Sequence, residues 1–301
     1  SRFNMHSDNW ILMRQFNLFI CATLMSFLCA CEGLIVTGPS SHSALPDFEA
    51  AWKIAGNNYP YFQFKRINWD SIHTIYLPRA QVSMGDETYF VLFDLLKELK
   101  DGHAKLVTMG GYDVRPYPPL RYLRDKDAYN PLVVRGYFNS ELRLAGDERI
   151  EYQILDGNVG YIYFSGFPFG AWINDFSKVL DYLQSTKGLI IDVRDNPGGQ
   201  GAVSEIVIQR FLRQPLAYPP QYMNGVLVPG SRLIYPSGPY QYTRPVVVLI
   251  DGRSESEAEG FAEKMKQIPT VTLIGDTTAG DGGQPATFIL PSGRQITIPF
   301  A

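Results

Sequence analysis

Apolar and polar positions change their period along this chain, and the change divides it. Between residues 46 and 103 the apolar positions recur at helical spacing, with Phe48, Trp52 and Ile54 on one face and Trp69, Ile72 and Ile75 on another. Over Tyr89 to Lys100, Phe90, Leu92, Phe93, Leu95, Leu96 and Leu99 are apolar and leave Lys97, Glu98 and Lys100 to solvent. Asp86, before Glu87-Thr88, predicts the N-cap of that helix, and Gly102 its C-cap. From about residue 113 the pattern shortens. Leu132-Val-Val-Arg-Gly136, Leu142–Leu144 and Ile150–Leu155 predict short strands, and Asp156-Gly157-Asn158 a turn into the strand Val159–Phe164. Apolar strands then alternate with helices: helix 172–186, strand Gly188–Val193, helix 201–213, strand Pro245–Ile250, helix 256–267, strand Val271–Ile274. Such a run predicts an α/β domain whose mixed, mostly parallel sheet is covered by helices. A hairpin, Thr287–Leu290 with Gln295–Pro299 around Pro291-Ser-Gly293, follows.

One apolar stretch fits neither period. Phe16 to Ala30 is about 15 residues long, short of the roughly 20 of a membrane span. Met13-Arg14 precedes it and small residues end it, which predicts a secretory signal with Met13 as its start. Leu28-Cys29-Ala30-Cys31 resembles the bacterial lipobox, in which the last cysteine, here Cys31, is lipidated. A plain cleaved signal and an uncleaved anchor remain alternatives. The segment 32–45 reads as a tether, 46–108 as a small helical domain and 109–301 as the α/β domain. An exported protein is expected, in the periplasm or on the outer membrane of a Gram-negative-type envelope, with membrane contact only through the lipid or the signal.

Composition removes several classes of function. The 301 residues are 45% hydrophobic and 19% charged, an ordinary globular balance. A net charge of -3 supplies no basic excess for nucleic acid. The three cysteines, Cys21, Cys29 and Cys31, all precede the folded part, so neither disulfides nor a cysteine nucleophile is expected in it. The four histidines, His6, His42, His73 and His103, have no metal-ligand spacing, and neither nucleotide-binding glycine motif occurs. No metal or other cofactor is predicted.

Ligands of such sheets gather beyond the carboxyl ends of the strands. One exit, Arg194-Asp-Asn-Pro-Gly-Gly-Gln-Gly201, carries Gly198 and Gly199, whose amides can approach an anion. It also fits a plain βα turn. The other, Asp251-Gly-Arg-Ser-Glu-Ser-Glu-Ala-Glu-Gly260, puts Ser256 at a helix start, where the dipole favours negative charge. Ser256 with Glu259 equally fits a capping box. A serine nucleophile needs a base. His103, in Leu99-Lys-Asp-Gly-His103, leaves a helix end and is the candidate; His73 lies in a helical stretch and reads as structural.

Together these pieces resemble the S41 serine peptidases, the family of C-terminal processing and tricorn-type proteases. Leu99–His103, Val159-Gly-Tyr-Ile162, Gly188–Gly199, Ser256-Glu-Ala-Glu259 and Ile274-Gly-Asp-Thr-Thr-Ala-Gly280 occur in that family's order, across about 46 to 301. The resemblance implies a crotonase-like (ClpP-like) core, with Ser256 as nucleophile and Glu259 as its usual acidic companion. It also implies an oxyanion hole from the Gly198–Gly199 loop and the Glu257 amide. The processing-protease branch carries a lysine base where this chain has Asp281, and Lys264 and Lys266 lie too far along the helix to replace it. The tricorn-like branch uses the histidine of the Asp-Gly-His position, which implies a Ser256–His103 pair acting on polypeptides. That branch also orients its histidine with an acid near a Gly-Ile/Val-x-Pro-Asp segment, expected beyond Ala301. The span from His103 to Val159 is too short for the PDZ module of many relatives. Glu255 and Glu257 flank Ser256 where small residues are usual, and are expected to raise the His103 pKa or deter acidic substrates. Two other readings stay open: a non-catalytic, peptide-binding envelope lipoprotein, and a crotonase-type acyl-CoA enzyme.

Overall fold

The computed structural model describes residues 42–108, 110–123, 129–223, 226–230 and 232–300. The predicted export signal, Cys31 and most of the tether lie outside the described residues. Among the described residues three helices come first. Helix α1 (Leu45–Asn58) carries Pro46 in its first turn, where no N–H is needed, and buries Phe48, Ala51 and Ala55. Helix α2 (Trp69–Val82) is capped by Asn68, whose side chain accepts the Ser71 N–H at 3.0 Å. Helix α3 (Glu87–Lys97) buries Val91, Leu92, Leu95 and Leu96, but its Phe90 faces solvent. Asp86 stands at the N-cap position of α3 without a capping hydrogen bond from its side chain. Lys100, at φ 49°, turns the chain out of the helix in place of the expected Gly102.

Strands β1 (Lys105–Val107) and β2 (Asp113–Val114) follow. The next segment corrects the sequence reading. Leu132–Gly136, predicted as a strand, falls in the short helix α4 (Pro131–Arg135) and its C-cap, because Asn130 accepts the Leu132 N–H at 3.0 Å and Pro131 fills the first turn. An Asn-Pro start outweighs the strand preference of the valines behind it. Strands β3 (Arg143–Ala145), β4 (Ile150–Leu155) and β5 (Val159–Phe164) pair antiparallel. The three-residue loop Asp156-Gly157-Asn158 joins β4 to β5, and Gly157 and Asn158 both take positive φ in it.

Helix α5 (Phe176–Leu183), strand β6 (Gly188–Asp192) and helix α6 (Gly201–Ile208) come next. Four short strands not foreseen from the apolar pattern follow: β7 (Leu216–Ala217), β8 (Gln221–Met223), β9 (Val226–Val228) and β10 (Leu233–Ile234). They make two small ribbons, β7 with β10 and β8 with β9. Strand β11 (Val246–Ile250), helix α7 (Glu257–Lys266) and strand β12 (Val271–Gly275) finish the main layer, and β13 (Gln284–Ile289) and β14 (Gln295–Phe300) form the predicted hairpin.

The main sheet is mixed, in the order β12-β11-β6-β5-β4-β3, with β5, β6, β11 and β12 parallel. Its core sets Val179, Leu180 and Leu183 of α5 and Phe261 and Met265 of α7 among Ile162, Ile191 and Val248 of the strands. A second sheet, β13-β14-β1-β2, is antiparallel. Leu106, Ile296 and Ile298 from it share one core with Phe48 of α1 and Leu92 and Leu95 of α3. The helical layer is therefore closed by strands drawn from the end of the described chain.

Candidate active site

Leu249 of β11 lies opposite Asp192 of β6, so the two strands deliver their exits side by side. Polar cross-links then fix the exits to each other. The Asp251 carboxylate accepts the N–H groups of Arg253 (3.0 Å) and Asp195 (3.1 Å), and the Ser254 hydroxyl donates to the Val193 carbonyl (2.8 Å). Ser256 follows at φ 56°, ψ -120°. An ordinary N-cap sits in the β region. This conformation costs a non-glycine residue about 1–3 kcal/mol and persists only where its surroundings impose it. A strained serine between a strand and a helix is the geometry that exposes the oxygen of a nucleophile elbow. Glu259 turns back on it, accepting the Ser256 N–H at 2.9 Å.

The glycine loop packs directly on this turn. Gly198 has φ 85°, and a Cβ there would stand 2.6 Å from both the Glu255 carbonyl oxygen and the Glu257 nitrogen. Its own N–H is committed to Asn196 Oδ1 (2.8 Å), and Asn196 is anchored through Nδ2 to the Phe164 carbonyl (2.8 Å). Gly198 thus contributes space, not a free donor, to the oxyanion loop expected from the sequence. The Gly198 carbonyl accepts the Phe167 N–H and the Phe167 carbonyl accepts the Gln200 N–H, each at 2.7 Å. In that parallel bridge the Gly199 N–H turns to the opposite edge. The Glu257 N–H, first in α7, has no intrahelical acceptor. Among the described residues neither the Gly199 nor the Glu257 N–H is taken up by a hydrogen bond. The Glu257 side chain turns away to Lys264 Nζ (2.7 Å) and the Ser204 hydroxyl, so the same contact occupies Lys264.

His103 sits in the turn between α3 and β1. Its Nδ1 is buried without a hydrogen-bond partner among the described residues, 3.7 Å from Asp101 Oδ1. Asp101 is wholly buried and accepts the Tyr59 hydroxyl (2.9 Å), Lys65 Nζ (2.8 Å) and the His103 N–H (3.0 Å). Burial opposes its charge, but His103 and Lys65 more than offset that and hold Asp101 below the usual carboxylate range. Burial likewise opposes a charged His103, yet Asp101, Asp281 and Glu255 outweigh it and hold the imidazole above its ordinary pKa. Glu255 itself is pushed up to about 7 by burial and by Asp281, against the pull of Arg121, His103 and Arg115. Its Oε2 lies 3.7 Å from Arg121 Nε, and Arg121 also holds Asp195 at 2.6 Å. Of the two flanking glutamates, then, Glu255 helps to raise His103, while the Glu257 carboxylate is paired with Lys264.

Asp281, where a lysine base would stand, is a buried carboxylate. It accepts the Leu120 N–H (2.6 Å) and, at a longer 3.5 Å, the Gly102 N–H. A Cβ on Gly102 would collide with Pro119 Cα and stand 2.8 Å from Asp281 Oδ2, which explains the glycine better than a helix cap does. His73 is remote from this cluster in character, 3.0 Å from Glu49 and packed on Phe48 and Trp52. Among the described residues no group of three or more His, Cys, Asp or Glu side chains is placed to hold a metal ion. Asp101, Asn196, Asp251 and Ser254 escaped the sequence reading. Their signal was only their place beside a motif, because burial and backbone partners are not written in spacing.

The profile of Peptidase family S41 matches residues 158–301, and that of the Tricorn protease C1 domain matches residues 45–99. Carboxy-terminal processing protease CtpA of Bacillus subtilis (strain 168) is 27% identical over 154 residues, 49% of this chain and 32% of that protein. CtpB of the same organism is 30% identical over 151 residues, 49% of this chain and 30% of that protein. The match thus spans about a third of the length of these curated relatives. A solved structure from Parabacteroides merdae ATCC 43184, described as that of a candidate peptidase, aligns with a TM-score of 0.72 at 29% identity, covering 86% of this chain and 83% of that one. On its motifs, its fold and these matches, the chain belongs to peptidase family S41.

Proposed function

We propose that this protein is a serine endopeptidase that cleaves polypeptides through an acyl-enzyme at Ser256, with His103 as general base. The observation that carries the reading is the backbone of Ser256, held at φ 56°, ψ -120° against Gly198, where any Cβ would strike the Ser256 turn. The hydroxyl attacks the scissile carbonyl as His103 takes its proton. The tetrahedral oxyanion is met by the Gly199 and Glu257 N–H groups, near the positive end of α7. His103 returns the proton to the leaving amine, and water then releases the acyl group by the same route. A base held above its ordinary pKa is a stronger proton acceptor, suited to neutral or alkaline conditions. The apolar stretch at 16–30 and Cys31 support an exported, lipid-anchored location.

Buried Glu255 beside the nucleophile favours one other reading, a fold that binds peptide without cleaving it. Digestion of casein by the full-length protein decides between them. Ser256→Ala and His103→Ala are each expected to lower the rate about a thousand-fold or more. Wild-type protein that is folded and binds casein, yet leaves it intact, supports the non-catalytic reading instead.

A further inference from the structure

We propose that Asp281 is a positioning residue that ties the His103 turn to the nucleophile turn, so that one carboxylate sets where the base stands relative to Ser256. The inference rests on the reading of Ser256 and His103 given above and deepens it. A continuous path joins the two turns. The Ser256 N–H donates to Glu259 Oε2 (2.9 Å), and Glu259 Oε1 accepts the Gly280 N–H (2.8 Å). The next residue is Asp281, whose two oxygens take the N–H groups of Leu120 and Gly102, the latter adjoining His103. Two carboxylates, linked through the Gly280 N–H that one accepts and the Gly280–Asp281 peptide bond that leads to the other, thus span from nucleophile to base.

The chemistry at this position needs a carboxylate. Two backbone donors converge on Asp281, and an amide side chain offers one acceptor oxygen where a carboxylate offers two. Burial makes an unmet N–H costly, so the contacts are constraints on the turn. Gly102 is shaped to the same purpose, because any side chain there would strike Pro119 and Asp281. Positioning of this kind matters, since a displacement of about 1 Å in a catalytic group can cost about a hundred-fold in rate. Burial pushes the Asp281 carboxyl above the usual range, and once ionised it adds negative charge beside the imidazole. The groups facing His103 are Asp101, Asp281 and Glu255; those facing Asp281 are Asp101, His103, Glu255, Glu259 and Tyr59.

Asp281→Asn in the full chain tests the proposal, because it keeps the shape and removes one acceptor and the charge. Two readouts are taken: the pH dependence of the rate constant for fluorophosphonate labelling of Ser256, and the titration of His103 by NMR. The alkaline plateau of the labelling rate is expected to fall by about a hundred-fold. Both the acidic limb and the His103 titration are expected to move to lower pH, since a charge that favoured imidazolium is gone. An unchanged plateau with an unchanged titration overturns the proposal. A smaller folded fraction whose plateau, limb and titration match the wild type overturns it too, since Asp281 would then be merely structural. Wild-type protein that does not label would defeat the peptidase reading, while the NMR titration would still report whether Asp281 acts on His103.

Discussion

A carboxylate near a histidine base acts through the proton equilibrium of that base. Asp101, Asp281 and Glu255 each favour the imidazolium of His103, while the working base must be neutral. The acidic limb of the pH–rate profile is therefore expected above the usual value of about 6.5. Glu255→Gln removes one negative neighbour, so the limb should move to lower pH in peptide cleavage. Glu257→Ala should leave the limb in place, because that carboxylate is paired with Lys264. A limb that moves with Glu257 and not with Glu255 would contradict this assignment. The sequence made both glutamates equal suspects, because neighbours of Ser256 in sequence point to opposite sides once a helix begins. Ser256, Gly198 and Gly199 were legible as an ordered set of motifs. The left-handed backbone of Ser256 and the Asn196 contact that takes the Gly198 amide were not, since both arise from packing between two loops distant in sequence.

Elements with a clear period were foreseen within a few residues, and the exceptions have local causes. Leu132–Gly136 looked like a strand by its valines and became part of a helix through Asn130 and Pro131. The ribbons between α6 and β11 are two or three residues per strand, too short to show alternation. The larger surprise is at the end of the described chain. The hairpin of β13 and β14 was readable, but not its partner, because pairing of β14 with β1 joins residues far apart in sequence. That pairing places Ile296 in the core of the helical layer, fully buried. Ile296→Ala should lower unfolding stability by about 2–5 kcal/mol, read from urea titration. A loss below about 1 kcal/mol would mean that the hairpin is not part of that core.

At the scale of the molecule, the nucleophile and the base come from different cores. Ser256 and the glycine loop ride on the main sheet, whereas His103 and Asp101 ride on the helical layer closed by β1 and β14. Asp281 lies between β12 and β13, on the segment that runs from one sheet to the other, and this is why it can reach both. Strain at Ser256 and several buried carboxylates gathered around one histidine are local costs that a packing core alone would not retain. They make sense if the turn exists to present a reactive oxygen. The most direct measurement is fluorophosphonate labelling of the full-length protein, with the modified residue located by mass spectrometry. Covalent modification is predicted at Ser256, absent in Ser256→Ala and strongly slowed in His103→Ala. A folded wild-type protein that carries no label at Ser256 at neutral or alkaline pH would contradict the account.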